Sequence, residues 1–187
     1  IQNELVIDFI LSILSLASVE ELKSYLPYLV YLLRFFNEQN KKLTNYLIYL
    51  SSINYIFCNY FFWEINLQLE SNYIYNKIRN NLIKEINKTS KIYLDNSYNY
   101  FNNIIFLLNN SNSFNNFNII LDNHFKENIY NYPISLGINP KVLIENIITK
   151  NINYKNSNTK PIIFNFITIE KKKYSLLYKR EDIRTDL

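Results

Sequence analysis

The sequence predicts an α+β protein that is mostly helical and carries antiparallel strands toward its C-terminal end. Apolar residues recur at the helical spacings of three and four through residues 1 to about 75. After Tyr132 this pattern gives way to β-branched and aromatic runs, which are typical of strands. Pro133, Gly137 and Pro140 lie between the two patterns, and such a cluster of helix breakers indicates a domain boundary.

Composition and charge narrow the class of protein. A hydrophobic content of 48%, with 17% aromatics, is too high for a disordered chain. The net charge is +4, but the cations are scattered, and we expect the densest run, Lys171 to Lys173, to solvate a turn. We therefore predict no nucleic-acid partner. The single Cys58 excludes a disulfide framework, fits a reducing compartment, and is expected to pack as a small hydrophobe.

The first helices show clear sequence signals. Ser18 and Glu21 form a predicted capping box, in which each side chain accepts a hydrogen bond from the other residue's backbone amide. One continuous apolar face follows, made by Leu22, Leu26, Leu29, Leu33 and Phe36. Pro27 is expected to kink this helix unless it lies in the first turn. Successive helices that each carry one apolar face and are joined by short connections predict antiparallel helix pairs, as in an α-solenoid.

The stretch from Leu43 to Trp63 has no charged residue and is long enough to cross a bilayer. A buried helix of a soluble protein could have the same length and the same lack of charge. Amides such as those of Asn45, Asn54 and Asn59 would be costly in hydrocarbon, so the buried helix is the favoured interpretation.

The middle of the chain predicts a helix from Asn72 to about Tyr93, with a stripe of Ile74, Ile78, Leu82 and Ile86. Residues 109–118 are rich in Asn and Ser, whose side chains compete for backbone hydrogen bonds, and this predicts a loop. A short helix is expected at 119–130. The only histidine, His124, falls there and has no neighbouring Cys or second His for a metal site.

The C-terminal segment predicts strands at 141–148 and 162–169, then a polar turn at 170–173 and a further strand at 174–179. The last two strands are expected to form an antiparallel hairpin. No active site is evident from these residues alone, and one glycine cannot supply a glycine-rich phosphate loop.

Four blocks of the sequence resemble phosphatidylinositol kinases. Residues 178–187, Y-K-R-E-D-I-R-T-D-L, resemble the F-K-x-G-D-D-L-R-Q-D signature of the 3- and 4-kinases. Residues 57–63, F-C-N-Y-F-F-W, are similar to L-A-N-Y-L-Y-W of the helical accessory domain, and residues 21–30 to its D-L-x-x-Y-L-x-Q-L-V helix. Residues 138–144, I-N-P-K-V-L-I, resemble L-D-P-x-V-x-V of class III 3-kinases.

The resemblance implies a domain order. Residues 1–75 would be the C-terminal part of a helical-solenoid accessory domain, and residues 76–131 a helical, Asn-rich linker. Residues 132–187 would begin a kinase N-lobe. Because the chain starts at Ile1, lacks Met, and contains neither the Asp-Arg-His nor the Asp-Phe-Gly motif of the family, we expect a fragment that is inactive alone.

The resemblance also implies the chemistry of the parent protein. It would transfer the γ-phosphate of ATP, with Mg²⁺, to the 3-hydroxyl of phosphatidylinositol. It would be a cytoplasmic lipid kinase, peripheral on endosomal or autophagic membranes and bound to regulatory subunits. The implied rivals are a phosphatidylinositol 4-kinase and a non-catalytic helical scaffold derived from the family. An unrelated multi-helix membrane protein is a third alternative.

The resemblance implies ATP-binding roles for specific residues. Lys179 would contact the ATP phosphates, and Asp186 would pair with Lys179. The phosphate-binding turn before Pro161 would include Ser157, Thr159 and Lys160, and the adenine pocket would be lined by Ile163 and Leu177.

The terminal block also departs from the family pattern, because the glycine after the lysine is missing and the lysine-to-acid spacing is one residue short. In addition, Thr185 replaces Gln, and Asn146 stands where the family has Gly. Anchoring the alignment on Asp182 to Asp186 would instead put Tyr178 in the lysine position, with Lys179 on the other face of the strand. Either the turn has shortened and Lys179 still reaches ATP, or nucleotide binding has been lost.

Overall fold

A computed structural model describes residues 4–34, 41–69, 73–110, 114–127, 133–154 and 161–178. Over these ranges the protein is α+β and mostly helical, as predicted. The helices are α1 (Glu4–Leu14), α2 (Val19–Leu33), α3 (Lys42–Ile53), α4 (Tyr55–Leu67), α5 (Ile74–Glu85), α6 (Lys88–Asn110) and α7 (Phe114–Glu127). The strands are β1 (Ile134–Leu136), β2 (Asn139–Tyr154), β3 (Ile162–Thr168) and β4 (Lys173–Tyr178).

The chain divides into two compact units. The first unit comprises Ile1–Leu94 together with Gly137–Pro140, and the second comprises Asp95–Leu136 and Lys141–Leu187. The domain boundaries at 75/76 and 131/132 follow from the family resemblance and stay predictions, as does the solenoid assignment of the helices.

In the first unit, helix α4 contacts α2, α3 and α5. Its residues from Phe57 to Phe62 are all buried, so successive side chains point inward on every side of the helix. A helix that is apolar all round is expected in the interior of a protein rather than on its surface. The uncharged run of α4 that ends at Trp63 therefore reflects a helix at the centre of the first unit.

The capping box at the start of α2 is confirmed. The Ser18 side chain accepts from the Glu21 amide, and the Ser18 amide donates to the Glu21 carboxylate at 2.7 Å. These hydrogen bonds lower the pKa of Glu21 below its ordinary value. Pro27 is the ninth residue of α2, well past the first turn, and the helix nevertheless runs on to Leu33.

The uncharged stretch from Leu43 to Trp63 is divided into two helices. α3 ends at Ile53, and Asn54 takes an extended backbone and caps α4 by accepting from the Phe57 amide at 3.0 Å. Among the described residues, we find no helix with the length and apolar character that a membrane span requires.

The helix predicted from Asn72 to about Tyr93 is wrong in its extent, because α5 ends at Glu85 and α6 begins at Lys88. The Asn87 side chain accepts from the Ser90 amide at 2.8 Å and so caps the start of α6. Ile86 is buried even though it lies in the break, and this explains why the apolar stripe continues through it.

The loop predicted for 109–118 is also wrong over all of its described residues, 109–110 and 114–118. Asn109 and Asn110 end α6, and α7 begins at Phe114 rather than at 119. Phe117 and Leu121 lie four residues apart and are both fully buried. Their packing outweighs the weak helix preference of the surrounding Asn residues.

The turn between β1 and β2 packs closely against α4 within the first unit. A Cβ atom built on Gly137 would lie 2.5 Å from Nε1 of Trp63, so no other amino acid fits at Gly137 without a shift. Just after this turn, at the start of β2, the Pro140 carbonyl accepts from the Tyr55 hydroxyl at 3.2 Å, and the Tyr55 ring stacks on that of Tyr93.

The second unit contains the sheet, whose strand order is β1-β2-β3-β4. β3 pairs antiparallel with both β2 and β4, which confirms the predicted hairpin at the end of the sheet. One buried cluster joins the sheet to side chains of α6 and α7. Its members are Tyr100, Ile104, Leu108, Phe117, Leu121, Ile134, Leu136, Ile144, Ile147, Ile152, Ile162, Phe164 and Phe166.

Candidate nucleotide-binding surface

The β3–β4 hairpin has two faces of different character. Ile162, Phe164 and Phe166 of β3 point into the buried cluster, and the alternate residues of β4, Tyr174, Leu176 and Tyr178, pack against it. Since successive side chains of a strand point to opposite faces, the remaining residues form the other face. This outer face of the hairpin consists of Ile163, Asn165, Ile167, Lys173, Ser175 and Leu177.

The structure brings together the two predicted adenine-pocket residues that it describes. Ile163 and Leu177 are Cα partners across β3 and β4, so their side chains are neighbours on the outer face. Ile163 is half-buried, and Leu177 is 52% exposed. This pair is an apolar surface on which a planar base could rest.

A polar pair lies next to the apolar pair on the same face. The Ser175 hydroxyl donates to Oδ1 of Asn165 at 2.7 Å, and these two residues are also Cα partners. Asn165 is buried, with 4% of its surface exposed. Neither Asn165 nor Ser175 is among the residues predicted for the site from the sequence. The two-residue alternation of the predicted strands was the signal that could have placed them beside Ile163 and Leu177.

Tyr178 lies on the face opposite Leu177. Its ring packs against the buried cluster, and the ring centroid is 6.3 Å from that of Phe164. Leu177, in contrast, belongs to the outer face with Ile163. Tyr178 therefore does not share a face with the predicted adenine-pocket residues.

The turn that joins β3 to β4 is exposed, as predicted for its lysine run. Lys171 takes a left-handed backbone conformation with φ 64°, and its amide donates to the Thr168 carbonyl at 2.8 Å. Its side chain binds Glu145 at 2.7 Å. Lys172 donates to the Glu170 carboxylate at 2.6 Å, which lowers the pKa of Glu170 and raises the pKa of Lys172.

The remaining predicted site residues lie outside the residues that the structure describes. These are Ser157, Thr159 and Lys160 of the predicted phosphate turn, together with Lys179 and Asp186. Their predicted roles stay predictions.

Other reactive side chains do not form a site in the described ranges. Cys58 is buried in α4, and this burial raises the pKa of its thiol to about 12, as expected for an inert packing residue. His124 is half-buried in the last turn of α7, with its ring 5.3 Å from that of Phe125. Residues 4–178, excepting the gaps given above, contain no group of three or more His, Cys, Asp or Glu residues that could hold a metal ion.

No protein-family model matches the chain, and no curated protein sequence matches it significantly.

Proposed function

We propose that the chain belongs to a class III phosphatidylinositol 3-kinase and contributes its helical accessory domain and the first strands of its kinase N-lobe. The observation that carries this proposal is the order of the four sequence blocks along the fold. The blocks at 21–30 and 57–63 fall on helices α2 and α4, the block at 138–144 enters β2, and the block at 178–187 follows the hairpin. The first three blocks thus lie on elements of the type that the resemblance implies, and residues 179–187 lie outside the residues that the structure describes.

The outer face of the hairpin supports a nucleotide site at this position. Ile163 and Leu177 offer an apolar contact for adenine, and ligand pockets are typically lined by such side chains with a few polar groups. The phosphate contacts would come from Ser157, Thr159 and Lys160, where hydroxyl and ammonium groups suit phosphate oxygens.

The position of Tyr178 favours one of the two alignments of the terminal block. Its ring packs against the buried cluster, whereas the neighbouring Leu177 lies on the outer face. This arrangement supports Lys179, rather than Tyr178, as the phosphate-contacting residue, oriented by Asp186. In kinases such a lysine holds the nucleotide phosphates while an acidic residue positions it.

The metal ion and the catalytic loop would come from other parts of the parent protein. Mg²⁺ would neutralise charge on the transferring phosphoryl group. The family motifs that bind Mg²⁺ and activate the lipid hydroxyl do not occur in the 187 residues. We therefore expect no phosphorylation by this chain alone. The helical part would support the kinase lobe, and regulatory subunits would direct the enzyme to endosomal or autophagic membranes.

A lipid-kinase assay of the complete protein tests the proposal. The protein would be incubated with radiolabelled ATP, Mg²⁺ and phosphatidylinositol vesicles, and the lipid product would be separated into 3- and 4-phosphates. We expect the 3-phosphate. Lys179→Ala should abolish the product, whereas Lys172→Ala, in the exposed turn between β3 and β4, should leave it unchanged.

Each other outcome has a definite meaning. A 4-phosphate product would assign the protein to the phosphatidylinositol 4-kinases. A folded complete protein that neither binds ATP nor phosphorylates lipid would be the non-catalytic scaffold. Full activity in Lys179→Ala would show that the lysine role was carried over incorrectly.

A further inference from the structure

Ser175 differs in its surroundings from the other hydroxyl residues on the described strands. Ser135, Thr149 and Thr168 are buried, whereas Ser175 is exposed on the outer face of the hairpin. The Ser175 hydroxyl donates to Oδ1 of Asn165 at 2.7 Å. Ser175 is therefore the strand hydroxyl, among the residues that the structure describes, that an enzyme in solution can reach.

A run of lysines directly precedes this serine. Lys171, Lys172 and Lys173 stand four, three and two residues before Ser175, and all three are exposed. Two of these lysines pair with glutamate carboxylates at the surface. Exposed pairs of this kind contribute little free energy, so the lysines can turn to another anionic partner. A serine that follows a run of cations has a charge pattern by which protein kinases select their substrates.

The backbone around Ser175 also suits recognition by another enzyme. β4 is the last strand in the sheet order β1-β2-β3-β4, and within the described part of the chain it pairs with β3. The cleft of an enzyme can bind an extended edge of this kind through its main chain. We propose that Ser175 is a phosphorylation site for a protein kinase that selects serines preceded by basic residues, and that the phosphate blocks ATP at the neighbouring surface. The blocking role rests on the proposed nucleotide site, whereas the phosphorylation itself does not.

The modification is a phosphoryl transfer from ATP bound to the protein kinase. Oγ of Ser175 attacks the γ-phosphorus, and a new O–P bond forms. The bond between the γ-phosphorus and its bridging oxygen breaks, ADP leaves, and the hydroxyl proton passes to the catalytic aspartate of the protein kinase. The phosphoserine carries a charge of about −1.5 to −2 at neutral pH.

Lys173 can stabilise the phosphorylated form. Lys173 and Ser175 are two residues apart on one strand, so their side chains share the outer face. The ammonium group and the phosphate would form charge-assisted hydrogen bonds. These bonds replace the one that the Ser175 hydroxyl now donates to Asn165. Because Ser175 is exposed, the added group does not have to enter the buried cluster.

The phosphate would lie beside the proposed adenine contact. Leu177 stands two residues after Ser175 on the same face, and Ile163 is the partner of Leu177 on β3. A base that rests on this apolar pair would remove water from the neighbouring charge, which is unfavourable. Repulsion between the phosphoserine and the phosphates of ATP acts in the same direction. Phosphorylation should therefore weaken ATP binding.

Labelling of the complete protein tests the modification. The protein would be incubated with radiolabelled ATP and a serine kinase that prefers basic residues two and three positions before the serine. We expect peptide mapping to find label on Ser175, and Ser175→Ala to lack label in that peptide. Lys172→Ala should slow labelling of Ser175 roughly three- to ten-fold by removing a recognised charge. Label that enters Ser175 only after unfolding in urea would overturn the proposal, as would an unchanged rate in Lys172→Ala.

The KM for ATP in the lipid-kinase assay tests the blocking role. We expect phosphorylation to raise this KM more than roughly ten-fold, because a charge is covered on binding, and a phosphatase to reverse the change. Treatment of Ser175→Ala with the serine kinase should not alter its own KM. A phosphorylated protein with an unchanged KM would overturn the blocking role. A complete protein without lipid-kinase activity would overturn the proposed function and the block, while labelling of Ser175 would still decide the phosphorylation site.

Discussion

Helix α4 of the first unit and the β3–β4 hairpin of the second use apolar side chains in opposite ways. In α4 the residues from Phe57 to Phe62 are buried without interruption. In β4 every second residue is exposed, and the others pack on the buried cluster. The buried run of α4 therefore serves to stabilise the fold, because none of its faces is exposed to a ligand. The hairpin packs one face on the buried cluster, and on its other face the β4 residues Lys173, Ser175 and Leu177 are exposed.

The two elements differ in how freely their residues can change without loss of folding. Neighbours in a strand have different environments, so one of them can change with little cost to folding. Neighbours in the buried run of α4 share the same environment, and each change there should affect the fold.

Truncation of a buried aromatic in α4 should have the largest effect. Phe61→Ala should lower the free energy of unfolding by roughly 3–5 kcal/mol, because Phe61 is fully buried and its removal leaves a cavity. Urea unfolding followed by circular dichroism measures the change. Tyr28→Ala, which removes a side chain that is 71% exposed, should stay within about 0.5 kcal/mol of wild type. Equal losses in the two variants would contradict the central position of α4.

Gly137→Ala tests the close contact with α4. The added methyl group would overlap the indole of Trp63, and we expect a loss of roughly 1–3 kcal/mol in the free energy of unfolding. Trp63 is the single tryptophan, so its fluorescence should also shift. Combining Gly137→Ala with Trp63→Leu should cost less than the sum of the two single changes. Strict additivity would show that the two residues do not share a contact.

Leu176 and Leu177 form a matched pair of identical residues on opposite faces of β4. Leu176→Ala should cost about 1–2 kcal/mol because its side chain packs against the buried cluster. Leu177→Ala should cost less than about 1 kcal/mol because Leu177 is half exposed. If the proposed nucleotide site is correct, Leu177→Ala should nevertheless raise the KM for ATP in the complete protein more than Leu176→Ala. The reverse order of stabilities would mean that the register of the hairpin is different.

The capping box of α2 should give a smaller effect. Ser18→Ala removes the acceptor for the Glu21 amide, and we expect a loss of about 1 kcal/mol. Ser24→Ala, on an exposed position of the same helix, is the control and should change stability less. A Ser18→Ala variant as stable as wild type would show that another acceptor replaces the side chain.

The same capping box predicts a pH dependence. The pKa of Glu21 is lowered in the folded chain by its hydrogen bonds with Ser18, so the folded state favours the ionised carboxylate. The stabilisation is complete above the ordinary pKa of Glu and is lost as the pH falls through the lowered folded value. Glu21→Gln should therefore reduce the acid dependence of unfolding measured between neutral and strongly acidic pH. An unchanged acid profile would contradict this role.

Local sequence signals were sufficient for much of the fold. The capping box at Ser18 and Glu21 and the alternating pattern of β3 and β4 are short-range patterns, and both are present in the structure. Two misassignments had different causes. The break between α5 and α6 was hidden because Ile86 continues the apolar stripe, although the Asn87 cap was a readable signal. The start of α7 depends on burial of Phe117 among Asn residues, which local preference does not reveal.

Less of the candidate site than of the fold could be predicted from the sequence. The apolar pair Ile163 and Leu177 was expected from the family resemblance, and the antiparallel register makes the two residues neighbours. The face occupied by Tyr178 could not be chosen from the sequence, because a spacing change of one residue exchanges the two faces of a strand. The packing of Tyr178 against Phe164 shows which face Tyr178 occupies, whereas Lys179 lies outside the described part of the chain.

The contact between Gly137 and Trp63 also bears on which amino acids this fold can accept. The chain has a single glycine, and it lies where a Cβ atom would overlap another side chain. The left-handed position in the β3–β4 turn, which also favours glycine, is occupied instead by Lys171. A left-handed lysine costs only about 1–2 kcal/mol, whereas a Cβ atom at Gly137 requires the Trp63 indole or the backbone to shift. As a protein's composition drifts away from glycine, positions defined by torsion angles can therefore be replaced before positions defined by volume.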